Sequence, residues 1–133
     1  YDELWSFVHS KLQRVWIWIA LCRRTKQVVA YHLGQRTQES FDEFYLKVPP
    51  SYAACRSTSD GFIAYGKISK YWHSKSKKKN GRTSQVEAFN TVLRQRNARL
   101  VRKTCSFSKS LEFHEMVLRL FIQDYNEARS SVK

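Results

Sequence analysis

Gln13-Arg14-Val15-Trp16-Ile17-Trp18-Ile19-Ala20-Leu21-Cys22 is the stretch that decides the fold. Val15, Ile17, Ile19 and Leu21 alternate with Trp16, Trp18 and Ala20. Both alternating sets are apolar, and the residue types are β-branched or aromatic, so the stretch predicts a strand covered on both faces. Its apolar run from Val15 to Cys22 is eight residues long, far short of the roughly 18 needed to span a bilayer. A soluble protein is expected.

Outward from this strand, Asp2 to Val8 and Gln27 to Leu33 are also β-prone. The intervening turns, 9–13 and 23–26, are short enough for antiparallel neighbours, and Gly34 closes the third strand. Spacing then changes to helical at Phe41, Phe44, Tyr45 and Val48, until Pro49-Pro50 stops the helix. A fourth strand is expected over Ala53 to Ser57, running on to Ser59-Asp60-Gly61. A short helical stretch and a fifth strand around Tyr71 to His73 follow. The segment from Ser74 to Ser84 is Lys-rich and contains Asn80-Gly81, which predicts a loop. A long helix is expected from Ser84 to about Arg102, and after a polar connection a last helix from Leu111 to about Ala128. Phe113, Val117, Leu120, Phe121 and Tyr125 form the expected buried face of that last helix.

This order predicts an α/β fold: an RNase H-like mixed sheet, three antiparallel strands then two shorter parallel strands, flanked by helices. A length of 133 residues, with 42% hydrophobic and 14% aromatic residues, suits one domain over 1–133. A formal net charge of +13 and a pI of about 10.0 point to a polyanionic partner, nucleic acid before an anionic membrane surface. Cys22, Cys55 and Cys105 are odd in number and contain no C-x-x-C pair, which argues against a disulfide framework and a zinc finger. A reducing cytoplasm is expected. The chain opens at Tyr1 in strand-like sequence without an initiator Met or a signal-like segment, so it reads as a piece of something longer.

The acids are the chemical signal. From Gly61 to Leu111 there are thirteen Lys or Arg residues and one carboxylate, Glu87. Positive potential keeps a carboxylate ionised and draws polyanions to it, as a metal ligand acting on phosphodiesters requires; a helix-surface ion pair is the equally open alternative. Asp2 lies on the first strand, Asp60 at the carboxyl end of the fourth, and Glu87 in the first turn of the long helix. Three acids on separate rigid elements are what two hard cations about 4 Å apart need in order to clamp a phosphodiester. Asp2 and Glu3 leave opposite faces of a strand, so only one is expected to face the site. By spacing alone, Asp60-Gly61 fits an ordinary turn as well. On the long helix Val86, Phe89, Leu93 and Leu100 form the apolar stripe, while Glu87, Asn90 and Arg94 share an adjoining face from which the amide and guanidinium could hold a phosphate.

Three segments carry a resemblance: 2–8 (DELWSFV), 59–65 (SDGFIAY) and the long motif from Val86 through 106–110 (SFSKS) to His114. They resemble the transposases of the insertion-sequence-one family of bacterial mobile elements across almost the whole chain. The resemblance implies a DDE-type catalytic domain with an RNase H-like fold, using Mg²⁺ or Mn²⁺, two ions, to cut and join DNA at element ends. It implies Asp2, Asp60 and Glu87 as the catalytic, metal-binding triad, and so selects Asp2 over Glu3. The implied chemistry is hydrolysis followed by transesterification, with no covalent protein intermediate.

The expected partners are element-end and target DNA, with self-association on DNA, in a bacterial or archaeal cytoplasm near the nucleoid. Lys75, Lys77, Lys78, Lys79, Arg82, Asn90 and Arg94 are the expected DNA contacts. His73 falls near a His of the family pattern and reads otherwise as a structural strand residue. Trp5, Trp16, Trp18 and Trp72 read as core. The family's zinc-binding and helix-turn-helix regions fall outside this chain. Two alternatives remain: a non-catalytic basic DNA-binding domain of a degenerate element, and an RNase H-like nuclease without strand transfer.

Overall fold

The computed structural model describes residues 1–8, 10–60, 62–68, 72–75, 84–96 and 110–130. Strands β1 (Asp2–Val8), β2 (Ser10–Leu21) and β3 (Val28–Gly34) form the expected antiparallel sheet in the order β1-β2-β3. The register sets Asp2 opposite Ile19, Glu3 opposite Trp18 and Ile17 opposite Leu33.

The double alternation of β2 builds two cores, one on each face of the sheet. Leu4, Ile17, Ile19 and Val28 pack against Val86, Phe89 and Leu93 of α3 (Ser84–Arg96) and Leu118, Ile122 and Tyr125 of α4 (Leu111–Ser130). On the other face Trp18, Ala20 and Ala30 meet Phe41 and Phe44 of α1 (Gln38–Lys47), together with Ala64 and Tyr65 of a 3-10 turn (Ile63–Lys67). Each such Ile, Leu or Phe contributes about 1.5–3 kcal/mol when fully buried. Trp18 is fully buried. Trp5 and Trp16 are half-buried, covered by the guanidinium groups of Arg14 at 4.7 Å and Arg36 at 5.0 Å from the ring centroids. Trp72 is exposed and is not core.

Several boundaries differ from expectation. Thr37 caps α1 by accepting a hydrogen bond from Ser40 N, and the helix ends at Lys47 as the prolines require. Pro50 then opens a second, four-residue helix, α2 (Pro50–Ala53), because proline suits a first helical turn, where its missing N–H costs nothing. The fourth strand is thereby displaced, with β4 at Ser57–Ser59 rather than Ala53 to Ser57. The fifth, β5, is His73–Lys75, parallel to β4 with Ser57 opposite His73. The expected single mixed sheet is two separate ladders, three-stranded and two-stranded. One hydrogen bond, Tyr1 N to Thr58 O at 2.7 Å, sets β4 beside the start of β1. The expected continuation of α3 to Arg102 lies outside the described residues.

The last helix is rotated from its expected phase. Its buried stripe is His114, Leu118, Ile122 and Tyr125, while Phe113 and Leu120 face outward at 38% and 60% exposure. Val117 and Phe121 are half-buried. The rotation seats His114 against Ser6 of β1, Oγ to Nε2 at 2.6 Å, with both residues fully buried. Hydrophobicity could not anticipate a stripe that includes a histidine. No described helix is long and apolar enough to cross a membrane.

Candidate metal centre

β1 opens with Asp2 and Glu3, and β4 runs directly into Asp60. Carboxylate oxygens of Asp2, Glu3 and Asp60 all lie within 4.8 Å of one another. Asp2, opposite Ile19, leaves the sheet on the α3 and α4 face, whereas Glu3, opposite Trp18, leaves on the α1 face. The expected exclusion of one of them from the site does not hold. β1 is an end strand of its ladder, so side chains from both faces reach round its free edge towards Asp60.

Each carboxylate is held by a different element. Asn90 Nδ2 of α3 donates to Asp2 Oδ2 at 2.7 Å. Arg36 donates through Nη2 at 2.8 Å and Nε at 3.1 Å to Glu3 Oε1, and the Tyr65 hydroxyl donates to Glu3 Oε2 at 2.7 Å. The Glu3 side chain is only 2% exposed. Arg36 is itself positioned between the rings of Trp16 and Phe62. Asp60 Oδ1 accepts from Phe62 N at 2.9 Å, a local turn that fixes the chain as it leaves β4.

Burial, and then the neighbouring charge of Glu3 and Asp60, push the Asp2 carboxyl up to about 6. Burial also raises Glu3, against the opposing hydrogen bonds from Tyr65 and Arg36. Burial thus makes the charged carboxylates of Asp2 and Glu3 costly, although Arg36 and Tyr65 hold Glu3 and Asn90 holds Asp2. Its donors are all carboxylate oxygens, which suit a hard divalent cation such as Mg²⁺ or Mn²⁺ and not a thiophilic metal. Asn90 Oδ1, buried and without a hydrogen-bond partner, adds an acceptor beside Asp2. The residues fit the cation that the sequence implies.

Beside the centre, Ser57 Oγ at 2.7 Å and Ser59 Oγ at 2.9 Å engage Nδ1 and Nε2 of His73. Burial first, and nearby positive charge second, lower this imidazole to about 4. Neutral at physiological pH, it ties β5 to β4 and stacks on Tyr65 with ring centroids 6.3 Å apart.

The structure thus brings Asp2 and Asp60 together, with Glu3 as a third member. Glu87 is exposed on α3 and is not among these three. It lies one helical turn before Asn90, the residue that bonds Asp2. Asn90 is 6% exposed, and Arg94 is half-buried one turn further on. Lys75 is exposed at the end of β5. Lys77, Lys78, Lys79 and Arg82 lie outside the described residues. Sequence reasoning passed over Glu3, Arg36 and Tyr65. The adjacent acids at a strand start were a signal for Glu3; nothing in the sequence separates Tyr65 from the other aromatic residues.

The family model described as IS1 transposase matches residues 1–126. The chain is 39% identical over 126 residues to the insertion element iso-IS1n protein InsB of Shigella dysenteriae, covering 93% of this chain and 92% of that protein. It is 36% identical over 118 residues to the insertion element IS1 4 protein InsB of Escherichia coli strain K12, covering 88% and 68%. Against the insertion element IS1 protein InsB of Shigella flexneri it is 34% identical over 118 residues, covering 88% and 87%. No solved structure matches the chain significantly.

Proposed function

Because the chain belongs to the IS1 transposase family, we propose that it carries the catalytic centre for metal-dependent DNA cleavage and strand transfer at insertion-sequence ends. The observation that carries this reading is the convergence of Asp2, Glu3 and Asp60 from two strands onto one point. Asp2 and Asp60, with Glu87 of α3 as the third member of a DDE triad, would hold the divalent cation, Mg²⁺ or Mn²⁺ and two ions in the active state. When bound, the cations neutralise charge on the scissile phosphate and favour both the attacking and the leaving oxygen.

The other residues act by positioning. Asn90 orients Asp2, while Arg36 and Tyr65 fix Glu3 so that its carboxylate would help attract the cations from a set position. Water attack on the phosphodiester leaves a 3′ hydroxyl and a 5′ phosphate. That hydroxyl then loses its proton as its oxygen attacks a target phosphodiester, and the target's own 3′ oxygen departs. Lys75, the Lys-rich residues 77–79, Arg82 and Arg94 hold the DNA backbone, and copies of the chain associate on paired ends. The β1-to-β4 hydrogen bond and the helices on both sheet faces support an RNase H-like arrangement.

The test is nicking and joining of element-end DNA in Mg²⁺ or Mn²⁺ by wild type, Asp2→Asn, Glu3→Gln, Asp60→Asn and Glu87→Gln. Loss of both activities in the Asp2, Asp60 and Glu87 variants, with partial loss in Glu3→Gln, is the expected pattern. Undiminished activity of Asp60→Asn and Glu87→Gln would remove the triad. Metal-independent binding without nicking in wild type would leave a DNA-binding domain only.

A further inference from the structure

We infer that a cleft of about 490 Å³, lined by Tyr1 at the head of β1 and by Ser57 and Thr58 of β4, receives an unpaired nucleotide of the DNA. This rests on the transposase reading and adds a subsite to it. The cleft lies where the end of β2, the start of α3 and the chain after α2 meet. Its volume is in the range of about 300–1,000 Å³ that encloses small organic ligands. Tyr1 lines it immediately before Asp2 and Val86 one turn before Asn90, so the elements that wall the cleft also carry residues of the proposed catalytic point.

The lining has the parts of a nucleotide site. Arg23, Arg24 and Arg56 line it, and among the described residues no carboxylate does. All three are exposed, and Arg23 is anchored by donating to Thr58 Oγ1. Three guanidinium groups suit a phosphate and its neighbours. Tyr52, Val29 and Val48 supply an apolar wall, which an aromatic base can lie against. Gln85 also lines the cleft, a side chain with both hydrogen-bond donors and an acceptor. A base stacked in a duplex could not enter a concave site of this kind, so the occupant is a base already out of the stack.

The experiment is binding of the protein, in EDTA, to an eight-nucleotide oligothymidylate and to an eight-unit abasic strand of equal charge. Wild type is expected to bind the oligothymidylate about tenfold more tightly, the order of one base stacked on an aromatic side chain. Tyr52→Ala should abolish that preference and Tyr52→Phe retain it. Arg56→Ala should weaken both strands equally. Ser51→Trp, which fills the cleft from its exposed rim, should act as Tyr52→Ala does even where that variant folds poorly. Equal binding of the two strands by wild type, or a preference that survives both Tyr52→Ala and Ser51→Trp, would overturn the proposal. The assay contains no metal and no cleavage. Loss of the preference with nicking intact therefore removes the cleft alone, and absence of nicking with the preference intact removes the catalytic reading alone.

Discussion

Asn90 of α3 donates to Asp2 of β1 across 2.7 Å, so a helix on one face of the sheet holds the carboxylate at the start of its end strand. Asn90→Ala should lower stability by about 1–3 kcal/mol, because it removes a buried bond to a charged group. It should also raise the Mg²⁺ concentration for half-maximal thermal stabilisation about 10–100-fold, as loss of an orienting partner does in metal sites. Thermal melts across a Mg²⁺ titration read both effects; a destabilised variant with unchanged Mg²⁺ dependence would make Asn90 a packing residue only.

The raised Asp2 carboxyl gives a pH dependence with a definite sign. Its ordinary value is 3.8 and burial, with Glu3 and Asp60 nearby, takes it to about 6 in the fold. The folded state therefore binds the proton more tightly than the unfolded one, and this contribution to stability is lost as pH rises from about 4 to about 6. On the proposed function a divalent cation would take the proton's place. Mg²⁺ should raise the melting temperature clearly at pH 7.5 and much less at pH 5, and equal shifts at the two pH values would count against binding at this cluster.

Tyr65 is fully buried and its hydroxyl bonds Glu3. Tyr65→Phe keeps the ring packing and deletes the donor, so a loss of about 1.5–3 kcal/mol is expected from denaturant melts. In the Glu3→Gln background the same change should cost less, since the bond is no longer made to a charge.

Ser6 and His114 form a buried polar contact between β1 and α4. Ser6→Ala or His114→Leu alone should each cost about 1–3 kcal/mol by breaking this buried hydrogen bond. The double variant should cost less than the sum, because the Ser6–His114 bond is lost only once. Additive losses in the cycle would show that the contact carries no coupling.

Leu93 and Leu46 separate core from surface. Leu93 is fully buried between sheet and helices, and Leu93→Ala should cost about 2–5 kcal/mol. Leu46 is 87% exposed, and Leu46→Ala should stay within about 0.5 kcal/mol of wild type.

The double apolar alternation of Val15 to Leu21 was enough to predict a strand covered on both faces, and hence a central sheet with a core on each side. Charge identified a polyanionic partner, and the carboxylates Asp2 and Asp60 stood at element ends where a site could form. Local periodicity reports which face a side chain leaves; it does not report where the side chain ends. Asp2 and Glu3 do leave opposite faces, yet their carboxylates meet round the free edge of β1 because β4 delivers Asp60 there. Likewise, α4 turns Phe113 outward because its histidine finds a serine 108 residues away in sequence, a partner visible only once the sheet is assembled. Pro49-Pro50 ended a helix as its chemistry requires, and also began another, which displaced β4. Sequence alone determined the sheet, its two covered faces and the acids available to a site. Tertiary structure alone decided which acids converge and what holds each one, since hydrogen bonds between distant residues leave no periodic trace along the chain.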